Sequence, residues 1–166
     1  KGYAVVDGNG NTPAGIEADF KVGPEKANSY MGKVCAMLYE RFKAGALPVA
    51  MVSMDNCSHN GDKLKGAVTA FAKNWSDNNV CDKGFLSYVE DSKKVSFPWS
   101  MIDKITPRPA DSVMNMLVKD GIEDVDFVKT SKNTFVAPFV NAEEAEYLVI
   151  EDNFPNGRPK LEDGGV

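Results

Sequence analysis

Two stretches of this 166-residue chain concentrate side chains that can do chemistry. The first, MVSMDNCSHNGDKL (Met51–Leu64), places Ser53, Asp55, Asn56, Ser58, His59 and Asn60 directly behind a short apolar run. Asn56 can donate an amide N–H to an oxygen that gains negative charge during a reaction, and needs no ionisation to do so. Asp55 can accept backbone N–H groups and so orient the loop. Ser53 and Asp55 are also candidate cofactor contacts, because ligands of open α/β sheets collect beyond the carboxyl ends of the strands. The same residue types cap helices and make turns, and at the level of residues both readings stand. In the second stretch, FPWSMIDKITPRP, Asp103 interrupts the run Met101-Ile102-Asp103-Lys104-Ile105. A carboxylate in such a run must be hydrogen-bonded or paired, and Lys104 beside it is the simplest partner. Arg108 can meet a substrate carboxylate through two parallel N–H bonds or serve a structural ion pair.

Other groups carry plainer readings. His59 is the only histidine of the chain and reads as a surface loop residue. Cys57, beside Asn56, is assigned to packing. Asn60-Gly61 reads as a turn that needs the freedom of glycine. Trp99 stands between core and a cover for a substrate pocket. A zinc site built on Cys57 and His59 fits no familiar ligand spacing, so no metal is expected. The three cysteines, Cys35, Cys57 and Cys81, are far apart and odd in number. They read as free thiols of a reducing, cytoplasmic protein.

The elements that must position these groups follow from periodicity. The composition, 43% hydrophobic and 26% charged, is that of a globular domain. A net charge of −5 argues against nucleic-acid binding, which needs clustered Lys and Arg. No apolar run reaches the roughly 18 residues that span a bilayer, so no membrane partner is expected. Helical spacing is predicted from Pro24 to Ala44, with Met31, Val34, Cys35, Leu38 and Phe42 on one face. The run LPVAMVSM predicts a strand apolar on both faces, as a parallel sheet covered by helices requires. A second helix runs through Leu64, Val68, Phe71, Ala72 and Trp75, and a shorter amphipathic segment covers Asp82–Val89. Val95–Phe97 predicts a strand broken by Pro98, and a loop stiffened by Pro107 and Pro109 follows. Asp111 to Lys119 predicts a helix, with Asp111 or Ser112 near its N-cap and Gly121 as its stop. VDFVKTS, TFVAPFV and EYLVIED read as strands, and KGYAVV as the end of another.

The expectation is a single α/β domain over 1–166, with an α/β part over 1–121 and a β-rich extension over 122–166. The first strand looks cut and the last stretch has no closing element, so the chain reads as a partial segment of a longer protein.

Three motifs carry a family resemblance. SMDNCSHNG, then VSFPWSMIDKITP, then YLVIEDNFPNGRPKLEDGGV resemble, in order, patterns of the mannitol dehydrogenase family. These polyol-specific long-chain dehydrogenases include fructuronate and tagaturonate reductases. The resemblance implies the C-terminal half of a Rossmann-like nucleotide-binding domain, with helices flanking a mostly parallel sheet. It further implies hydride transfer between NAD, with NADP left open, and a sugar alcohol or uronate, without a metal. Asn56 matches the first asparagine that holds the reacting oxygen, and Asp103 the aspartate beside the catalytic lysine and substrate. That lysine is expected after Val166, and no lysine here matches it. DNCSHNG departs from the more frequent DNLPxNG, and Lys104 and Ile102 stand where Arg and Val are usual. Arg108 and Lys104 lean the substrate toward a uronate. The alternative is a non-catalytic α/β module whose polar loops bind a metabolite or a partner.

Overall fold

A computed structural model describes residues 2–104, 106–142, 144 and 146–165. The chain divides into two compact units, residues 1–101 with 149–166, and residues 102–148.

The first unit is built around α3 (Asn60–Asp77), against which α1 (Ala14–Val22), α2 (Tyr30–Lys43) and α4 (Gly84–Glu90) pack. Leu64, Val68, Phe71, Ala72 and Trp75 are all buried, as their three-and-four spacing requires. Phe71, Trp75 and Phe85 are wholly shielded from solvent, and each such side chain contributes roughly 1.5–3 kcal/mol of burial. Aromatic edges interlock through this core: Phe20 meets Phe71 at 4.8 Å and Phe71 meets Trp75 at 5.5 Å between ring centroids. Two short strands, β1 (Val49–Ala50) and β2 (Val95–Ser96), pair in parallel with Val49 opposite Val95, and the Met51 N–H extends the ladder to the Ser96 carbonyl at 2.9 Å.

The region predicted as one helix over Pro24–Ala44 is two elements. A single 3-10 turn covers Pro24–Lys26, and α2 begins only at Tyr30. Ser29 caps α2 by accepting the Gly32 N–H at 3.1 Å, and the buried Asp19 carboxylate accepts the N–H groups of Asn28 and Ser29 at 2.9 and 2.8 Å. Those bonds hold residues 27–29 out of the helix. Burial raises the Asp19 pKa, but the Ser29 hydroxyl and the two backbone donors outweigh it, so the group sits below its ordinary value. Trp75 Nε1 donates to the Asp19 carbonyl at 2.9 Å, which ties α1 to the central helix. The helix α1 itself is unexpected, and KGYAVV forms turns and bends over residues 2–6 rather than a strand, with Tyr3 and Val5 against the core.

The second unit carries α5 (Asp111–Lys119) at its predicted bounds, followed by the antiparallel pair β4 (Val128–Lys129) and β5 (Phe135–Val136). The N-cap of α5 is Ala110, without a side-chain cap. The strands β3 (Ser100–Lys104) and β6 (Glu146–Ile150) form a two-stranded sheet, and β3 occupies what reads in sequence as loop. Among the described residues no helix is long and apolar enough to cross a membrane.

Candidate active site

The chain leaves β1 and within three residues reaches Ser53, which is buried. Its hydroxyl contacts the Tyr3 hydroxyl at 2.5 Å and accepts the Asp55 N–H at 3.3 Å. Its carbonyl accepts from Ser100 Oγ and from Asn60 Nδ2.

Asn60 organises the loop. Its side chain is fully buried, and Nδ2 faces the Asp55 carbonyl at 3.0 Å, the Ser100 carbonyl at 3.0 Å and Ser100 Oγ at 2.9 Å. Oδ1 accepts the N–H of Gly61 at 2.8 Å and of Ser100 at 3.0 Å. A buried amide is tolerable only when satisfied in this way. The DN loop is thereby fastened to the start of β3. Asn60 reads in sequence only as part of a turn. Its signal was its register: it stands on the same stripe as Leu64, Val68, Phe71 and Trp75, so helical spacing aims it at the core.

Two details of this corner differ from the sequence reading. The left-handed residue is His59, with φ 55°, while Gly61 is helical. Gly61 is required by crowding: a Cβ there would collide with the Phe97 carbonyl oxygen and come within 2.8 Å of Trp99 Cδ1. The helix α3 also starts without a side-chain cap, so the polar loop residues do not serve that purpose.

Freed from capping, the loop presents its side chains to two clefts. Asn56 is exposed, has no hydrogen-bond partner among the described residues, and lines a cleft of about 500 Å³ with His59, Trp99, Ser100, Ile150 and Glu151. Asp55 lines a second cleft of about 480 Å³ with Tyr3, Asp62, Lys63, Gly66 and Ala67. Its carboxylate takes no backbone N–H among the described residues; its neighbour is Cys57 Sγ at 3.7 Å. Cys57 is half-buried and lines both clefts. His59 is exposed, 3.4 Å from Asp62 Oδ2, with its ring 4.2 Å from the Trp99 ring.

Asp103 and Arg108 belong to the second unit. Asp103 is half-buried and accepts from the Tyr147 hydroxyl at 3.4 Å. Lys104 is not its partner, because it pairs with Glu146 at 2.9 Å and reaches the Glu144 carbonyl at 3.4 Å. The Arg108 guanidinium lies over the Phe135 ring, 4.3 Å from the centroid, with its charge unspent on any carboxylate among the described residues. No group of three His, Cys, Asp or Glu suited to a metal occurs among the described residues.

Residues 12–163 match the family model of the mannitol dehydrogenase Rossmann domain. The chain belongs to the mannitol dehydrogenase family. It is 52% identical over 162 residues to the D-mannonate oxidoreductase of Thermotoga maritima, covering 98% of this chain and 30% of that protein. The fold agrees with a D-sorbitol dehydrogenase in substrate-free form (TM-score 0.69, 29% identity), over 99% of this chain and 31% of that one. It agrees as well with Pseudomonas fluorescens mannitol 2-dehydrogenase in a ternary complex with NAD and D-mannitol (TM-score 0.67, 30% identity), over 98% and 30%. The chain thus spans about a third of the length of these relatives. As a mannitol dehydrogenase family member with Rossmann-type neighbours, it bears out the α/β expectation.

Proposed function

We propose that the protein containing this chain is an NAD-dependent oxidoreductase that moves a hydride between the nicotinamide ring and a carbinol carbon of a sugar acid or sugar alcohol. The observation that carries this reading is Asn56: an amide with no hydrogen-bond partner among the described residues, held at a cleft by a loop that the buried Asn60 fastens. Such a donor is free to bond a nearby oxygen as charge develops on it. The names of the relatives, an oxidoreductase of D-mannonate and a dehydrogenase complexed with NAD and D-mannitol, support the substrate class and the cofactor. The sugar acid is preferred on the 52% identity.

NAD, when bound, accepts the hydride from the carbinol carbon. This chain's residues fit contact with that reacting end, through an unpartnered amide beside a fixed indole, and they do not include the glycine fingerprint that cradles the pyrophosphate. Asn56 would donate its Nδ2–H to the carbinol oxygen as that oxygen loses its proton and gains charge. Asp103, with one long bond from Tyr147, would orient the group that takes the proton. Ser53 would act from within, by holding the carbonyl and hydroxyl bonds that set the loop. Asp55 would face the cofactor from the second cleft, and Arg108 would meet a substrate carboxylate.

The test is an assay of the full-length protein with NAD and either D-mannonate or D-mannitol, following NADH. Formation of NADH with D-mannonate in excess of D-mannitol is expected. No NADH or NADPH with either substrate rejects hydride transfer and favours a binding module.

A further inference from the structure

Trp99 is a large apolar side chain left 42% exposed, yet it is firmly held. Glu151 grips its backbone from both sides: the Glu151 N–H donates to the Trp99 carbonyl at 2.8 Å, and Glu151 Oε2 accepts the Trp99 N–H at 3.1 Å. The next residue, Ser100, is fixed by Asn60. The indole lies against the His59 ring and over the space that Gly61 leaves empty. An exposed ring carried on a fixed backbone is a ready binding surface, because less conformational freedom is lost when a ligand stacks on it.

The charge of the same cleft is one-sided. Among the described residues lining it, Glu151 supplies a carboxylate, no Lys or Arg is present, His59 stands 3.4 Å from its own partner Asp62, and Asn56, Ser58 and Ser100 carry no charge. Glu151 Oε1 has no hydrogen-bond partner among the described residues, while Oε2 is used on Trp99. A free carboxylate oxygen beside an aromatic wall suits a neutral, hydroxylated carbon chain: hydroxyls donate to the oxygen and C–H groups face the ring. It repels a second carboxylate.

We propose that Trp99 and Glu151 determine how a sugar acid lies in this cleft, with its hydroxylated carbons along the indole and its hydroxyls donating to Glu151, and its own carboxylate directed away. This deepens the hydride-transfer reading and rests on it for the substrate class. Glu151 thereby disfavours acid substrates relative to polyols at this position, and the acid preference of the whole protein must come from a cation outside the cleft.

The experiment is a titration of the full-length protein with D-mannonate and with D-mannitol, read by intrinsic fluorescence as the difference between wild type and Trp99→Phe. A saturable change that Trp99→Phe removes is expected with both ligands. In Glu151→Gln, which keeps an acceptor for the Trp99 N–H, the ratio of the Kd for mannonate to the Kd for mannitol should fall about tenfold, because the acid is no longer confined to poses that keep its carboxylate from Glu151. An unchanged ratio, or a signal indifferent to Trp99, overturns the proposal. NADH formation without any Trp99-dependent signal rejects this inference and leaves hydride transfer standing. A Trp99-dependent signal and shifted ratio without NADH formation does the opposite.

Discussion

The Asn60 amide donates to the Ser100 carbonyl at 3.0 Å and accepts the Ser100 N–H at 3.0 Å, a reciprocal bridge between residues forty positions apart. One buried side chain thereby couples the loop after β1 to the first residue of β3. The unpartnered Asn56 is carried by a loop fastened in this way. Asn60→Ala should strand the N–H groups of Gly61 and Ser100, both held by Asn60 Oδ1, and cost about 1–3 kcal/mol of stability, the usual penalty for unsatisfied buried polar groups. Urea denaturation reads this directly. Asn60→Asp should cost at least as much, because an anion would face three carbonyl oxygens. Stability unchanged in both variants would mean that the bridge is incidental.

Gly61→Ala should destabilise by about 1–3 kcal/mol, the range for overpacking a filled site. Two of the three neighbours of the added methyl are backbone carbonyl oxygens, Phe97 O and Pro98 O, and these cannot rotate away. A melt of the Gly61→Ala protein with an unshifted midpoint would contradict the crowding.

Asp19 predicts a pH dependence. Its pKa is lowered in the folded chain, so its contribution to stability is complete above the ordinary value of 3.8 and is lost as pH falls through the lower folded value. Wild type should therefore exceed Asp19→Asn in stability by the same margin from pH 7 to pH 5, and the margin should shrink below pH 4. A margin that grows on acidification would reverse the sign and refute the assignment.

Much of the frame was legible because it is periodic. The stripe through Leu64, Val68, Phe71 and Trp75 and the helix Asp111–Lys119 repeat at helical spacing, and each forms as read. What escaped the sequence depends on contacts distant in the chain. Helix α1 has only Ile16 and Phe20 to mark its inner face and follows a turn-rich stretch. Strand β3 was hidden by Pro98 and Asp103, and it forms by pairing with β6 across more than forty residues. Lys104 finds Glu146 rather than its neighbour Asp103 for the same reason. In the loop itself the polar types were plain, but which one turns inward was decided by helix register. Asn60 goes in and Asn56 stays out.

Asp103 should separate activity from folding. Its one bond among the described residues, from Tyr147 at 3.4 Å, is too long to contribute more than a few tenths of a kcal/mol. Asp103→Ala should therefore melt within a few degrees of wild type while the turnover of the full-length protein falls about tenfold or more, as loss of an orienting group does. Lost stability with retained turnover would make Asp103 purely structural.

Hydride transfer at this site depends on Asn56, whose side chain is exposed and has no hydrogen-bond partner among the described residues. The most direct test is kcat of Asn56→Ala in the full-length protein with NAD and D-mannonate. A fall of about a hundredfold is expected, as when one oxyanion donor is removed, with thermal stability and the KM for NAD unchanged. Turnover equal to wild type would contradict it and remove Asn56 from the reacting oxygen.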